Sequence, residues 1–178
     1  VLTGAWMALT PLPTPCMSLR SAEVSGALYA NGRGAPHQLG AKNLVWRLDQ
    51  EQGWVKVVAP SKRRSGFAMV SLDGALYVIG GFDEESDDVT GDVERLDPRT
   101  RSWQAVAGMR TRRDGIAATV LNREIYALGG DDDSGSAMSS TVERYDSRVG
   151  RWADVAPLQT PRRNLSAAAL DGRLYAIG

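Results

Sequence analysis

The sequence contains few of the side chains that build metal and redox sites, with one cysteine, Cys16, and one histidine, His37. A single cysteine excludes an internal disulfide framework, and one cysteine with one histidine cannot complete a four-ligand zinc site. One histidine in an atypical loop also provides no Ser-His-Asp catalytic set. We therefore expect no metal and no cofactor, and we predict that the protein is not an enzyme.

An excess of charge of either sign is also lacking, because Lys plus Arg and Asp plus Glu both number 21. Without a net field, we expect no long-range attraction of nucleic acid or of an anionic membrane. No apolar run approaches the ~20 residues that span a bilayer, and the first residues lack the charged segment of a signal peptide. We expect a soluble, cytoplasmic protein, with a cytoskeletal association as the alternative, whose two ends read as cut.

A repeat organises the chain, because four tryptophans recur at spacings of 48, 49 and 49 residues, at Trp6, Trp54, Trp103 and Trp152. A tyrosine follows each of them by 23 residues, at Tyr29, Tyr77, Tyr126 and Tyr175. Aspartates keep the same register, at Asp49, Asp97 and Asp146. Three markers with one period indicate copies of a single structural unit.

Each repeat is predicted to be all-β, since no segment sustains apolar residues at helical spacing and short apolar runs alternate with turns. In the clearest copy, four strands A to D are predicted at residues 115–121, 124–128, 141–145 and 152–155. Tight turns join A to B at Asp73-Gly74, Asn122-Arg123 and Asp171-Gly172. Four-stranded units of this length are typical of sheets packed radially around an axis. Small residues such as Ala68 and Ala117 favour strand A as the innermost, most crowded strand.

These features resemble the kelch repeat, through the pairs Gly80-Gly81 and Gly129-Gly130, the tyrosines Tyr77 and Tyr126 three residues earlier, and the later tryptophans Trp54, Trp103 and Trp152. The runs 110–130 and 159–178 are most similar to BTB-kelch proteins, the substrate adaptors of cullin-RING ubiquitin ligases. The resemblance implies a kelch β-propeller with four-stranded antiparallel blades. A WD-repeat propeller fits less well, because the period is too long and the Gly-His and Trp-Asp signature does not occur.

The repeat boundaries predict a partial kelch propeller over residues 1–178, an incomplete fragment with about 3.5 to 4 blades. Residues 1–10 form strand D of a preceding blade, 11–58 a degenerate first repeat, 59–107 the second repeat, 108–156 the third, and 157–178 a truncated fourth. The first repeat departs from the pattern, with Asn31-Gly32 in place of the glycine pair.

One rim of the predicted propeller carries the B–C loops and the linkers from strand D to the next strand A (D–A linkers). The B–C loops at residues 82–91 and 131–140 are acidic, whereas the D–A linkers at 59–65, 108–114 and 157–163 are basic. Because variable loops on a rigid scaffold commonly carry function, we expect this rim to be the binding face. The acidic clusters at 83–88 and 131–133 lack the spacing of a calcium loop, so solvated loops are the preferred interpretation.

Arg64, Arg113 and Arg162 each lie ten residues after a tryptophan, and Cys16 occupies the same position in the first repeat. The resemblance implies that arginines at this position can line a central pocket and hold carboxylates of a bound peptide. The alternative is that they pair with Glu94 and Glu143 of strand C or with the acidic loops, holding blades together. The other candidate partner-binding residues on this rim are Arg63, Ser65, Arg112, Asp114, Arg163 and Asn164. Cys16 is interpreted as a structural residue, with a redox-sensing thiol as the alternative.

The resemblance therefore implies a protein-interaction module that recognises a short charged segment of a partner protein, as the substrate receptor of a cullin-RING ligase. An actin-binding or cytoskeletal kelch scaffold is the alternative, and co-purification with a cullin or co-sedimentation with actin separates the two. A kelch-fold enzyme such as a copper oxidase is the weakest hypothesis, because that site needs several histidine and tyrosine ligands.

Overall fold

The computed structural model describes residues 8–34, 43–132 and 138–178. Within these ranges the regular elements are all β-strands, which confirms the all-β prediction, and no helix is long and apolar enough to cross a membrane. The first repeat forms a sheet of four antiparallel strands, β1 (Cys16–Val24), β2 (Ala27–Gly34), β3 (Asn43–Asp49) and β4 (Gly53–Val57). The predicted strand D at residues 1–10 falls largely outside the described residues.

The second repeat contains seven strands, of which four form the main sheet, or blade. In chain order they are β5 (Arg64–Ser65), β6 (Ala68–Leu72), β7 (Ala75–Ile79), β8 (Phe82–Asp83), β9 (Asp88–Val89), β10 (Val93–Asp97) and β11 (Ser102–Val106). The blade has the antiparallel order β6-β7-β10-β11, and the short strands β5, β8 and β9 form a small separate sheet at the rim. The linker and the B–C loop are therefore hydrogen-bonded to each other.

The third repeat follows the same plan. Its strands are β12 (Arg113–Asp114), β13 (Ala117–Leu121), β14 (Glu124–Leu128), β15 (Asp131–Asp132), β16 (Val142–Asp146) and β17 (Arg151–Asp154). The blade is β13-β14-β16-β17, and β12 pairs with β15 at the rim. The fourth repeat contributes the hairpin β18 (Ser166–Leu170) and β19 (Arg173–Ile177). In the described residues, three four-stranded blades and one hairpin agree with the predicted 3.5 to 4 blades, and the predicted strand bounds of the third repeat differ from the observed ones by at most two residues.

The first strands of the four sheets, β1, β6, β13 and β18, lie next to one another, as predicted for the innermost strands. A cavity of about 450 Å³ runs along them, and its lining includes the small or polar residues Ser21, Ala118, Ser166 and Ala167. The larger apolar side chains instead pack between neighbouring blades, with Val24, Val45 and Leu96 between the first two and Ile79, Ile125 and Tyr145 between the second and third. Burial between sheets explains why both faces of β7 are buried along its whole length.

Each described tryptophan of strand D links its blade to the one before it. The indole Nε1 atoms of Trp54, Trp103 and Trp152 donate hydrogen bonds of 2.8, 2.9 and 2.8 Å to the carbonyls of Thr10, Val58 and Ala107. The acceptors lie 44 or 45 residues earlier, one repeat back along the chain. The tryptophan period therefore reflects a repeated contact between blades, in which the ring is partly or fully buried and its single donor is satisfied.

The glycine pair allows two backbone segments to cross in contact. Gly80 and Gly81 both have positive φ, at 58° and 104°. The amide of Gly81 donates a 2.9 Å hydrogen bond to the carbonyl of Arg113, in the linker of the next repeat. A Cβ on Gly80 would lie 2.8 Å from that carbonyl oxygen, and a Cβ on Gly81 would lie 2.6 Å from the carbonyl oxygen of Ser65. No other residue fits between the two linkers without displacing one of them.

We expect Gly81→Ala to lower the free energy of unfolding by roughly 3 kcal/mol, because it combines a forbidden φ with a clash against backbone. Gly150→Ala is the matched control, since Gly150 has φ 65° but nothing within 4 Å of its Cβ position. It should cost only about 1 kcal/mol. Urea unfolding followed by tryptophan fluorescence measures both, and equal losses would show that φ alone makes the glycine necessary.

Candidate functional site

The linker arginines Arg64 and Arg113 lie inside the protein, each with 0% of its surface exposed. One terminal nitrogen of Arg113 donates hydrogen bonds of 2.8 Å to the carbonyls of Gly129 and Thr141. The other lies 3.1 Å from a carboxylate oxygen of Glu143 and 3.5 Å from the sulfur of Met109. Arg64 repeats this arrangement, with Gly80, Asp92 and Glu94 as its partners.

The glutamate of each pair also holds the linker backbone. Glu143, which is fully buried, accepts hydrogen bonds from the amides of Arg110 at 2.7 Å and Thr111 at 3.1 Å. Glu94 accepts one from the amide of Ser61 at 2.8 Å. Because burial disfavours the charged form, the pKa of Arg113 is lowered, and the charge of Glu143 opposes that shift. The hydrogen bonds of the pair and the attraction between its two charges offset the cost of burying them.

This geometry decides between the two interpretations of the arginines. The side chains of Arg64 and Arg113 pair with Glu94 and Glu143 of strand C and leave no surface for a ligand. For these two residues the partner-binding prediction is therefore wrong, since both sides of the guanidinium are occupied by the protein itself. Arg162 differs, because its side chain is partly exposed and donates to the carbonyl of Gly178.

The exposed charges of the rim come from neighbouring positions in the same linkers. Lys62 lies 3.2 Å from Asp83 and 2.5 Å from Asp92, and Arg63 lies 2.9 Å from Glu84. Two further pairs connect repeats, with Arg112 against Asp88 and Arg163 at 2.7 Å from Asp131. Basic linkers and acidic loops, which the sequence placed on one rim, are thus paired with each other.

A cleft of about 300 Å³ lies between the B–C loop of the second repeat and the linker to the third. Its charged walls are formed by Lys62, Asp83, Asp88, Asp92 and Arg112, and we call it the rim cleft. The hydrogen bond from Lys62 lowers the pKa of Asp92, and the same contact raises the pKa of Lys62. Both groups are therefore charged at neutral pH, so the cleft presents charges of both signs at its opening.

Comparison with known proteins agrees with this arrangement. A sequence model of the Kelch motif matches residues 63–110 and 112–159. The chain belongs to the kelch family. The Kelch-like protein 36 of Bos taurus is 30% identical over 101 residues, and that of Rattus norvegicus is 29% identical over the same length. These alignments cover 54% of this chain and 16% of each relative, so the chain spans about one sixth of the curated relatives it matches.

A solved structure of YjhT has the same fold, with a TM-score of 0.80 over 95% of this chain and 60% of that chain. Its identity of 18% supports the fold alone. The prediction of a kelch propeller similar to the kelch domains of kelch-like proteins is thereby confirmed. Kelch repeats of this kind form a protein-interaction module.

The remaining candidate residues lie on the same rim but do not all occupy equivalent positions of the repeat. Ser65 and Asp114 pair with Phe82 and Asp131 in the small rim sheets. Arg163 occupies the equivalent position in the fourth repeat. An arginine therefore stands there in place of the serine of the second repeat and the aspartate of the third. Burial of the Asp114 carboxyl group raises its pKa, and the negative charge of Asp131 adds a smaller increase.

Asn164 has φ 52° and stands where the preceding repeats have Gly66 and Gly115, with φ 62° and 60°. Asparagine tolerates this left-handed conformation better than most residues. The backbone amide of Asn164 donates a 2.7 Å hydrogen bond to the carbonyl of Gly115. Asn164 thus has a role in the backbone between two repeats, and its side chain also lies beside the central cavity.

The acidic loops and Cys16 show local roles. Asp83, only 4% exposed, accepts a hydrogen bond from the amide of Glu85 and pairs with Lys62. In the described ranges, no group of three or more His, Cys, Asp and Glu side chains is placed to hold a metal ion. Asp133 and His37 lie outside those ranges. Cys16 is partly buried, and burial raises the pKa of its thiol.

Sequence reasoning missed the residues that shape the rim cleft. The sequence pattern does not distinguish Lys62 from the other linker cations, although it bridges two aspartates. Asp92 lies just beyond the B–C loop at residues 82–91, so the acidic run of that loop does not point to it. The available signal was its place one residue before strand C, on the same rim as the linker.

We expect Arg113→Ala to lower the free energy of unfolding by about 3–5 kcal/mol, because Glu143 would keep a buried charge with no cation beside it. Arg110→Ala is the matched control in the same linker. The Arg110 side chain is 63% exposed and pairs with Asp154, which is 55% exposed, so its loss should cost less than about 1 kcal/mol. Chemical unfolding of both variants tests this, and similar stabilities would contradict the structural role of Arg113.

Proposed function

We propose that this kelch domain is the substrate-recognition part of a cullin-RING ubiquitin ligase adaptor, and that it binds a short segment of mixed charge through the rim cleft. The kelch-like relatives support the adaptor role by similarity. The observation that carries the choice of surface is the set of half-exposed ion pairs around the cleft. The proposed activity is binding, without catalysis.

The energetics of these ion pairs favour exchange with a ligand. Arg112 and Asp88 are 45% and 47% exposed, and Asp92 is 52% exposed. Exposed pairs of this kind contribute only about 0–1 kcal/mol to stability, so a partner's carboxylate or ammonium can replace the internal partner at small cost. The buried pairs Arg64–Glu94 and Arg113–Glu143 below them keep the linkers in place during such an exchange.

The selectivity of the rim cleft follows from the positions of its positively and negatively charged side chains. Lys62 and Arg112 stand on linkers of successive repeats, while Asp83 and Asp88 belong to the loop between them. A segment with only acidic residues would be repelled by the loop, and a purely basic one by the linkers. An extended segment that carries both charges a few residues apart satisfies the two walls.

The test uses the intact protein that contains this chain, with the double variant Lys62→Ala and Arg112→Ala, which removes both cations of the rim cleft, and the control Arg123→Ala. Arg123 is 82% exposed and pairs with Asp73 on the A–B turns, at the opposite face of the propeller. Quantitative mass spectrometry after affinity purification should show at least a tenfold loss of substrate proteins in the double variant, with cullin retained in all three proteins. Retention of the same substrates, or equal loss in the control, would exclude the rim.

The alternative function, a cytoskeletal scaffold, predicts co-sedimentation of the intact protein with filamentous actin. Actin pelleting without cullin co-purification would replace the adaptor role by the scaffold role. Raised ionic strength distinguishes the binding mode in either case, because binding through exposed charges weakens as salt shortens the screening length to ~8 Å at 0.15 M.

A further inference from the structure

One buried position of strand B differs in chemistry between the first blade and the next two. Asn31, Ile79 and Leu128 occupy this position, each paired with a valine of strand C. The same register aligns Gly32, rather than Asn31, with Gly80 of the glycine pair. Ile79 and Leu128 pack in the apolar clusters that join their blades to the following ones. Asn31 therefore places a side-chain amide where the other two blades have an aliphatic group.

The amide of Asn31 is buried without compensation. Asn31 is 0% exposed, and within the described ranges neither its Oδ1 nor its Nδ2 has a hydrogen-bond partner. Its pairing partner Val45 belongs to the apolar cluster between the first and second blades. Directly opposite residues share one face of a sheet, so Asn31 faces this cluster as well. Because water would satisfy both amide atoms in the unfolded chain, their burial weakens the contact between these two blades.

Asn43 adds a further unpaired donor on the same face of the first blade, two residues before Val45. It is 2% exposed, and its Oδ1 accepts a 3.4 Å hydrogen bond from the amide of Arg64. Its Nδ2 has no partner among the residues that the structure describes. The later repeats have Gly91 and Ser140 at this position, so a buried carboxamide is specific to the first repeat.

The linker that follows the first blade also lacks a hydrogen bond that recurs at the next two junctions. The amides of Met109 and Leu158 each donate a 2.8 Å hydrogen bond to the last residue of the preceding B–C loop, at the carbonyls of Gly91 and Ser140. The same position of the first linker is Pro60, which has no amide hydrogen. This connection between blade and linker cannot form there.

The buried ion pair of the later repeats is replaced in the first repeat too. Cys16 and Trp46 stand at the positions that Arg64 and Glu94 occupy in the second repeat. A thiol and an indole cannot form an ion pair, so the first repeat lacks the link between linker and strands that this pair supplies. Four substitutions thus weaken the same blade.

We infer that the first blade opens as a separate unit, at a lower free energy than the second and third blades, and that Asn31 is a main cause of this difference. The stability of a repeat protein is close to a sum over its repeats and the interfaces between them, so one weak interface allows the adjoining repeat to unfold alone. Opening exposes apolar side chains of both blades, among them Val45 of the first and Phe67 of the second. The second and third blades remain folded, and the inference does not depend on the proposed adaptor role.

Hydrogen–deuterium exchange of the intact protein, followed by mass spectrometry, measures the opening of each blade. After correction for intrinsic rates, the amides of β2 and β3 should exchange at least about tenfold faster than those of β7, β10, β14 and β16, because the unpaired amides lower the cost of opening. Equal protection of the three blades would overturn the inference.

Asn31→Ile, which copies the second repeat, tests the cause. It should slow exchange in β2 and β3 at least about tenfold and leave β14 and β16 unchanged. Lys56→Ile is the matched control, since it adds the same side chain at an exposed position of β4 in the same blade. The control should alter exchange less than about threefold. Unchanged exchange in Asn31→Ile, or equal slowing by both variants, would refute the role of Asn31.

Should Asn31→Ile not fold, Asn31→Leu replaces it, because the third repeat has leucine at this position. The same slowing of exchange in β2 and β3 is then expected. Failure of both variants to fold would show that the first blade requires the amide, which would also overturn the inference.

Discussion

The buried arginine of each linker is the interaction on which the rest of this structure depends. A guanidinium without solvent must find acceptors inside the protein, and Arg113 finds two backbone carbonyls, a carboxylate and a sulfur. Its Nε is the one donor left without a partner. Since those acceptors belong to strands B and C and to the linker itself, the arginine position fixes all three. The carbonyl of the same residue accepts a hydrogen bond from Gly81, which connects the preceding blade as well.

This internal role changes how the rim is understood. The most regular arginines of the repeat, Arg64 and Arg113, are part of the scaffold, and the surface charges come from less regular neighbours such as Lys62 and Arg112. A scaffold must keep its spacing from repeat to repeat, whereas a recognition surface can vary. The regular period of the sequence therefore marks the residues that hold the blades together.

The fold could be predicted from the sequence because the repeat period reflects packing contacts that recur in every blade. Trp103 and Trp152 recur since each indole reaches a carbonyl of the preceding blade, and the glycine pairs recur since two linkers cross there. The burial of Arg113 was not predictable, because a cation in a linker rich in cations has the same pattern whether it faces water or a glutamate.

The tryptophan hydrogen bonds also bear on how the chain is built. Each one connects strand D of a repeat to a carbonyl 44 or 45 residues earlier, and none reaches forward. A growing chain on the ribosome can thus complete the outer contact of one blade only after the whole following blade has emerged. Each of these contacts between neighbouring blades is therefore completed by the later of the two repeats.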